Sequence, residues 1–300
     1  MYDLISVGNI SIDLYFQGKS MTQDTNRFKL AIGGKYYTEK FHEDIGGGGC
    51  NVAAGVAKLG LRVAVFGKVG NNPFRELIFK KLADKRVSTE FCEIVDDYYK
   101  ISSIILTDKG ERTIIHHETP GHMLRKFYLH KELKNAKHIY FSPLEHLDIE
   151  EKTKMIKYLK GDNTLTFVNL PATDCKRPIA HLKDIFDSLD VLIINAHEYS
   201  LLARKDYSSV NFKKLKITLP YLKNRILIVT DAERGSYGYF KDEFYYQEAV
   251  KPKRIVDATG AGDAYTAGFI AQYIKSGNIE SSMLSGAKYA AEKLSRLGAN

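Results

Sequence analysis

The run Asp257-Ala258-Thr259-Gly260-Ala261-Gly262-Asp263-Ala264-Tyr265-Thr266-Ala267-Gly268-Phe269 joins two small-residue turns to a helix that begins at an acid. These residue types suit a helix N-terminus that receives an anion. Gly260, Ala261 and Gly262 carry so little bulk that their N–H groups can approach phosphate oxygens, and the helix dipole adds partial positive charge. Such a cradle stabilises charge developing on a transferred phosphoryl group. Asp263 would repel phosphate, so beside that cradle it reads as the general base that takes a proton from an attacking hydroxyl. A purely structural reading stands next to this one: Asp263 complements the dipole, and the glycines make a tight turn.

Upstream of this run, short apolar stretches alternate with amphipathic helical ones. Residues 4–7, 63–66, 138–141, 165–168, 191–194 and 226–229 read as buried parallel strands. Helices are predicted over 51–59, 73–82, 150–159, 212–222, 263–274 and 279–297, and the alternation argues for an α/β sandwich around a mostly parallel sheet. Two segments break the pattern: 28–41, and a hairpin of 102–106 with 112–117 around Asp108-Lys109-Gly110. They form either a small separate sheet that acts as a lid or extra edge strands.

The chain has 300 residues, 44 Lys and Arg against 36 Asp and Glu, and a net charge of +8. The basic residues occur in scattered pairs such as Lys80-Lys81 and Lys213-Lys214 among acidic neighbours. That pattern argues against nucleic acid as a partner and suits small anionic substrates such as nucleotides. No apolar window approaches the roughly 18 residues of a membrane span, and residues 1–8 lack signal-peptide character, so a cytoplasmic protein without a membrane partner is expected. Cys50, Cys92 and Cys175 form no CxxC pair and read as reduced thiols. With no repeat and no linker, one domain over 1–300 is the simplest organisation.

A second glycine run, Gly46-Gly47-Gly48-Gly49-Cys50-Asn51-Val52-Ala53-Ala54-Gly55-Val56-Ala57-Lys58-Leu59-Gly60, follows a polar segment rather than a buried first strand. A dinucleotide fingerprint is therefore a poor fit, and no Walker A lysine pattern occurs. Taken in order, the two runs resemble the signatures of the ribokinase family of PfkB-type carbohydrate and nucleoside kinases. The resemblance extends from Gly8-Asn9-Ile10-Ser11-Ile12-Asp13 to Arg296-Leu297-Gly298-Ala299. It implies a ribokinase-like three-layer α/β/α sandwich with a small β-sheet lid from segments near 15–44 and 101–118.

The resemblance also implies chemistry: ATP- and Mg²⁺-dependent phosphorylation of a hydroxyl on a small sugar or polyol. A nucleoside is the alternative acceptor, and a non-catalytic sugar-binding regulator is the reading from another class. It implies that Asp263 acts with the Gly260, Ala261 and Gly262 anion hole, and that Asp13, Gly47, Gly48 and Asn51 hold the acceptor. By residue type alone, Asp13 is equally a solvated acid at the end of the first strand, and Asn51 equally a helix cap. Asn195-Ala196-His197-Glu198 is similar to the family's N-x-x-E motif, which implies nucleotide binding and, through water, Mg²⁺ at Glu198; the same spacing is a capping box that needs no metal. Thr230-Asp231-Ala232-Glu233-Arg234-Gly235 is similar to the family's nucleotide loop, T-x-G-x-x-G, with Ala232 in place of the middle glycine. This implies Thr230 and Gly235 at the nucleotide, against a turn-only role. Asn169 is implied near the phosphates, and Asp257 at a site for K⁺. His116 and His117 alternate on a lid strand, so one of them points toward the ligand. Paired lids imply a two-fold dimer.

Overall fold

A computed structural model describes residues 1–18, 22–24, 27–107, 112–120, 124, 128, 130–214, 219, 221, 222 and 224–299. Its main sheet has nine strands in the spatial order Glu243–Gln247, Ser236–Phe240, Ile226–Thr230, Val191–Asn195, Leu165–Val168, His138–Phe141, Leu4–Val7, Val63–Phe66 and Val87–Ser88. All pairs are parallel from Val87–Ser88 to Ile226–Thr230, and the last two strands are antiparallel. The helices are α1 (Gly48–Lys58), α2 (Arg75–Asp84), α3 (Ile149–Leu159), α4 (Ala172–Cys175), α5 (Lys183–Ser188), α6 (Ala196–Ala203), α7 (Ala261–Ser276) and α8 (Ile279–Leu294).

Strand side chains alternate between two cores. Ile5, Val7, Phe141, Ile194 and Val229 pack with Met155, Phe186 and Tyr199, so α3, α5 and α6 cover one face. Leu4, Val65, Tyr140, Phe167 and Ile193 pack with Val56, Leu82, Phe269 and Met283, so α1, α2, α7 and α8 cover the other. Strands buried on both faces are predominantly apolar, which is why they read as near-continuous apolar runs. The result is the expected three-layer arrangement.

A second sheet of four strands, in the order Arg112–Glu118, Lys100–Leu106, Ser11–Gln17 and Lys40–Gly46, forms the lid. Three expectations need correction here. Asp13 does not end a core strand; it lies within the lid strand Ser11–Gln17, opposite Ser102 on one side and Asp44 on the other. The segment expected to add to the lid over 28–41 does so only at its end: among the described residues Arg27–Lys29 pairs with Thr22–Asp24, and the lid strand begins at Lys40. Gly33 has φ 77°, and Leu30, Ile32 and Tyr37 are exposed, so this stretch turns and has no face to bury. Of the helix expected over 212–222, the described residues show a 3-10 turn, Phe212–Lys214, and Leu219, Tyr221 and Leu222 outside any helix. Pro220 supplies no N–H for a helix there. The turn at 108–110 lies outside the described residues, as do 215–218 and 220. Among the described residues no helix is long and apolar enough to cross a membrane. All three cysteines are free.

Candidate active site

The strands of the main sheet end level with one another, which lines up the residues that follow them. Val7 pairs with Phe141, Phe141 with Val168, and Asn195 with Thr230. Gly8, Ser142, Asn169, Asn195 and Thr230 therefore lie along the carboxyl edge, where open α/β sheets bind ligands. The ladder continues into this row, with the Ser142 amide donating to Val7 and the Asn169 amide to Phe141, both at 2.9 Å. Ser142 Oγ and Asn169 Oδ1 are buried and have no hydrogen-bond partner among the described residues. Such atoms are rare in a folded chain and point to a missing polar ligand or water.

The two glycine runs meet above this edge. Gly47, at φ 89°, precedes α1, and the Asn51 amide donates to the Gly47 carbonyl at 2.9 Å. Asn51 thus sits one turn inside the helix, and the alternative of Asn51 as cap does not hold. Its side chain instead reaches 212 residues along the chain: Asn51 Nδ2 donates to Asp263 Oδ2 at 2.7 Å. Gly48 faces the same space, since a Cβ there would come within 3.6 Å of Asp263 Oδ1 and 3.3 Å of Ser142 Cβ. Burial pushes the Asp263 carboxyl above the ordinary range, the Asn51 hydrogen bond pulls it down, and the Asp13 charge pushes it up.

Gly260 caps α7 with φ 74° and lies against Ala299. The first intrahelical bond runs from the Ala264 amide to the Gly260 carbonyl at 2.8 Å, so the N–H groups of Gly262 and Asp263 have no acceptor within the helix. A Cβ on Gly262 would meet nothing within 4 Å. Open space thus fronts these amides, beside the Asp263 carboxylate.

Asp13 comes to the site from the lid and is 5% exposed. Ser11 Oγ donates to its Oδ1 at 2.9 Å, Ser102 also hydrogen-bonds it, and Asp44 and His116 act on its charge. Burial is the largest influence and raises its carboxyl. Lid register decides between the two histidines: His116 lies opposite Ser102, which lies opposite Asp13, so His116 and not His117 shares the Asp13 face. His116 Nδ1 is 3.0 Å from Ser102 Oγ. A side chain on Gly46 would overlap the Asp13 carboxylate, which explains the first glycine of the run.

Asn195 and Glu198 form a reciprocal capping box on α6: Asn195 Oδ1 accepts from the Glu198 amide and Glu198 Oε2 from the Asn195 amide, each at 2.8 Å. Burial raises the Glu198 carboxyl, and hydrogen bonds from the backbone and side chain of Asn195 pull it down. Thr230 ends its strand, and the loop after it closes through the Asp231 amide to the Gly235 carbonyl at 2.8 Å. Gly235 has φ 93°, and Ala232 also adopts a left-handed φ of 47°, a conformation that favours the glycine this sequence lacks.

Asp257 is fully buried and organises the loop before α7 from behind. Its Oδ1 accepts from the Thr259 amide at 2.8 Å and from Thr259 Oγ1 at 2.6 Å, and its Oδ2 accepts from the Gly298 amide at 3.2 Å. Lys293 Nζ donates to the Asp257 carbonyl at 3.0 Å. Sequence reasoning missed Ser142, Ser102, Asp44 and Lys293. Ser142 directly follows a strand run, the one signal that could have found it; Ser102 and Asp44 become neighbours of Asp13 only through lid register.

A family model described as "pfkB family carbohydrate kinase" matches residues 1–300. The chain is 26% identical over 290 residues to a probable fructokinase-5 of Arabidopsis thaliana, covering 92% of this chain and 84% of that one. It is also 26% identical over 301 residues to a nucleoside kinase of Methanocaldococcus jannaschii, covering 97% and 89%. In fold it is similar to Arabidopsis thaliana ribokinase complexed with ribose and ATP, with a TM-score of 0.76, 19% identity, and 99% and 94% of the two chains covered. The chain belongs to the pfkB family of carbohydrate kinases, as a ribokinase-like kinase of a sugar or a nucleoside.

Proposed function

We propose that this kinase transfers the γ-phosphoryl group of ATP to a hydroxyl of a small sugar or polyol. The observation that carries the reading is the 2.7 Å contact of Asn51 with Asp263, beside the open amides that begin α7. Asp13 and Asn51 bind hydroxyls of the acceptor, Gly47 turns the chain beside it, and Gly48 leaves room for it. The reacting hydroxyl gives its proton to Asp263 while its oxygen bonds to the γ-phosphorus, and the bond to the β-phosphate oxygen breaks to release ADP. The amides after Gly260 hold the γ-phosphoryl in line, and Ala261 and Gly262 keep that approach clear. Thr230 and Gly235 lie toward the nucleotide, and the lid keeps water from competing with the acceptor.

Among the described residues no group of three or more His, Cys, Asp or Glu could hold a metal alone. A hydrated Mg²⁺ that arrives with ATP needs fewer protein ligands, and the buried orphan oxygen of Asn169 together with Glu198 suits that demand. These two residues would hold waters of the ion, which neutralises phosphate charge when bound.

A nucleoside acceptor is the second reading, favoured by the likeness to the Methanocaldococcus jannaschii nucleoside kinase over 97% of this chain. Measuring ADP release with ribose, fructose, inositol and adenosine in competition separates the two. Ligand binding with no ADP release from any acceptor would instead make the chain a sugar-binding regulator. The lid also suits a two-fold dimer. Phe16, Phe41 and Ile115 share one lid face, and Phe41 and Ile115 are 57% and 56% exposed. A monomer in light scattering at micromolar concentration removes the dimer.

A further inference from the structure

A lysine lies buried behind the anion hole, where the catalytic scheme above gives it no part. Lys293 is 1% exposed on α8, and its ammonium is enclosed by oxygen atoms of two chain segments. It donates to the Asp257 carbonyl at 3.0 Å and to the Arg296 carbonyl at 3.5 Å, and it stands 3.8 Å from Asp257 Oδ2. Main-chain carbonyls plus one carboxylate are the donors that a desolvated monovalent cation takes. A fixed ammonium already supplies that charge here, so K⁺ beside Asp257 does not fit the residues present.

The two segments that Lys293 joins shape the anion hole. Asp257 leads through its two Thr259 bonds directly to Gly260, and Gly260 rests on Ala299. Asp257 Oδ2 holds the Gly298 amide, so the ammonium, the carboxylate and residues 296–299 form one closed set of contacts. Without a nearby cation, the buried Asp257 carboxylate would be uncompensated, a costly arrangement that a local rearrangement of the loop would relieve.

We propose that Lys293 is a positioning residue whose ammonium serves as a built-in monovalent cation, holding the 257–260 loop in its phosphoryl-binding shape and making the enzyme independent of K⁺. The proposal rests on the kinase reading for its effect on rate, but not for its effect on cation binding. Burial lowers the Lys293 amine to about 8, and the charge and hydrogen bond of Asp257 pull it back up. Arg112 from the lid and Arg296 are the other cations acting on it.

The test compares chloride salts of K⁺ and N-methylglucamine at equal ionic strength, reading ADP release and melting temperature. Wild-type rate and melting temperature are expected to be the same in both salts, and a wild-type enzyme about tenfold faster in K⁺ overturns the proposal. Lys293→Ala opens room for an ion. It is expected to lose at least about tenfold in kcat, with little change in acceptor KM, and to regain most of it in K⁺. Its melting temperature should rise in K⁺ while that of wild type does not. Lys293→Met fills the space without charge and is expected to stay slow in both salts. A folded Lys293→Ala protein that K⁺ neither speeds nor stabilises overturns the proposal. If Lys293→Ala fails to fold, the wild-type comparison decides. If no acceptor yields ADP, the kinase reading fails, and the melting temperatures still judge the cation.

Discussion

The two glycine runs open two adjacent helices, yet their glycines answer different demands. In the first, side chains on Gly46, Gly47 and Gly49 would overlap Asp13, Asn9 and Gly8, so these positions are small because chain packs on chain. In the second, Gly260 abuts Ala299, but Gly262 faces open space. A glycine pressed by its own protein builds a site, and a glycine facing nothing leaves room for a ligand. The first run seats Asp13 and Asn51, and the second presents amides and Asp263.

The largest expected break in this comparison comes from the acid. Asp263→Asn keeps an oxygen for the Asn51 bond and should lower kcat about 10²- to 10⁴-fold in an ADP-release assay. Its stability should not fall. A carboxyl raised in the folded state contributes stability that is present below its unfolded value and lost as pH rises through its folded value. At neutral pH the Asp263 carboxylate therefore costs stability, and the asparagine variant should melt at or above the wild-type temperature. The same shift places the acidic limb of kcat/KM above the usual carboxylate range. Asn51→Ala removes the bond that lowers the carboxyl and should move that limb higher still.

Stability distinguishes the two runs next. Gly49→Ala forces a methyl group into the Gly8 backbone and should cost about 1–3 kcal/mol in urea unfolding. Gly262→Ala, on the first turn of α7 with free space around it, should instead gain about 0.5–1 kcal/mol. Its kcat should fall about tenfold, because the methyl group projects where the phosphoryl group would approach. Equal losses of stability in the two variants would erase the distinction drawn here. The smallest effect belongs to the loop after Thr230: Ala232→Gly relieves a left-handed alanine and should raise stability by about 1 kcal/mol.

Legibility of the fold followed burial. The parallel strands were readable because both faces are covered, so Leu4–Val7 is apolar but for Ser6 and Ile226–Thr230 is apolar up to its last residue. The lid was harder, since its Asp13 face mixes Ser102 and His116 with the buried Tyr15, Ile104 and Leu106; residues 28–41 alternate like a strand but turn at Gly33, and the lid strand begins at Lys40. At the site, Asn51 and Asp263 were legible as members of two motifs, and the structure adds that they touch. Asp13 was legible as a residue but assigned to the wrong element. Lys293 gave no signal, because a lysine on an amphipathic helix reads as solvated until its neighbours are known.

Local chemistry along the chain was enough to determine the layered α/β class, the glycine-rich start of α7 and the acid on its first turn, because these depend on residues adjacent in sequence. Contacts between distant segments were decided only by the tertiary structure: Asn51 on Asp263, Ser102 and Asp44 about Asp13, and the Lys293 ammonium behind the Asp257 loop. Those depend on strand register and helix packing, which no single stretch of sequence encodes, since each is the outcome of burying every apolar face at once.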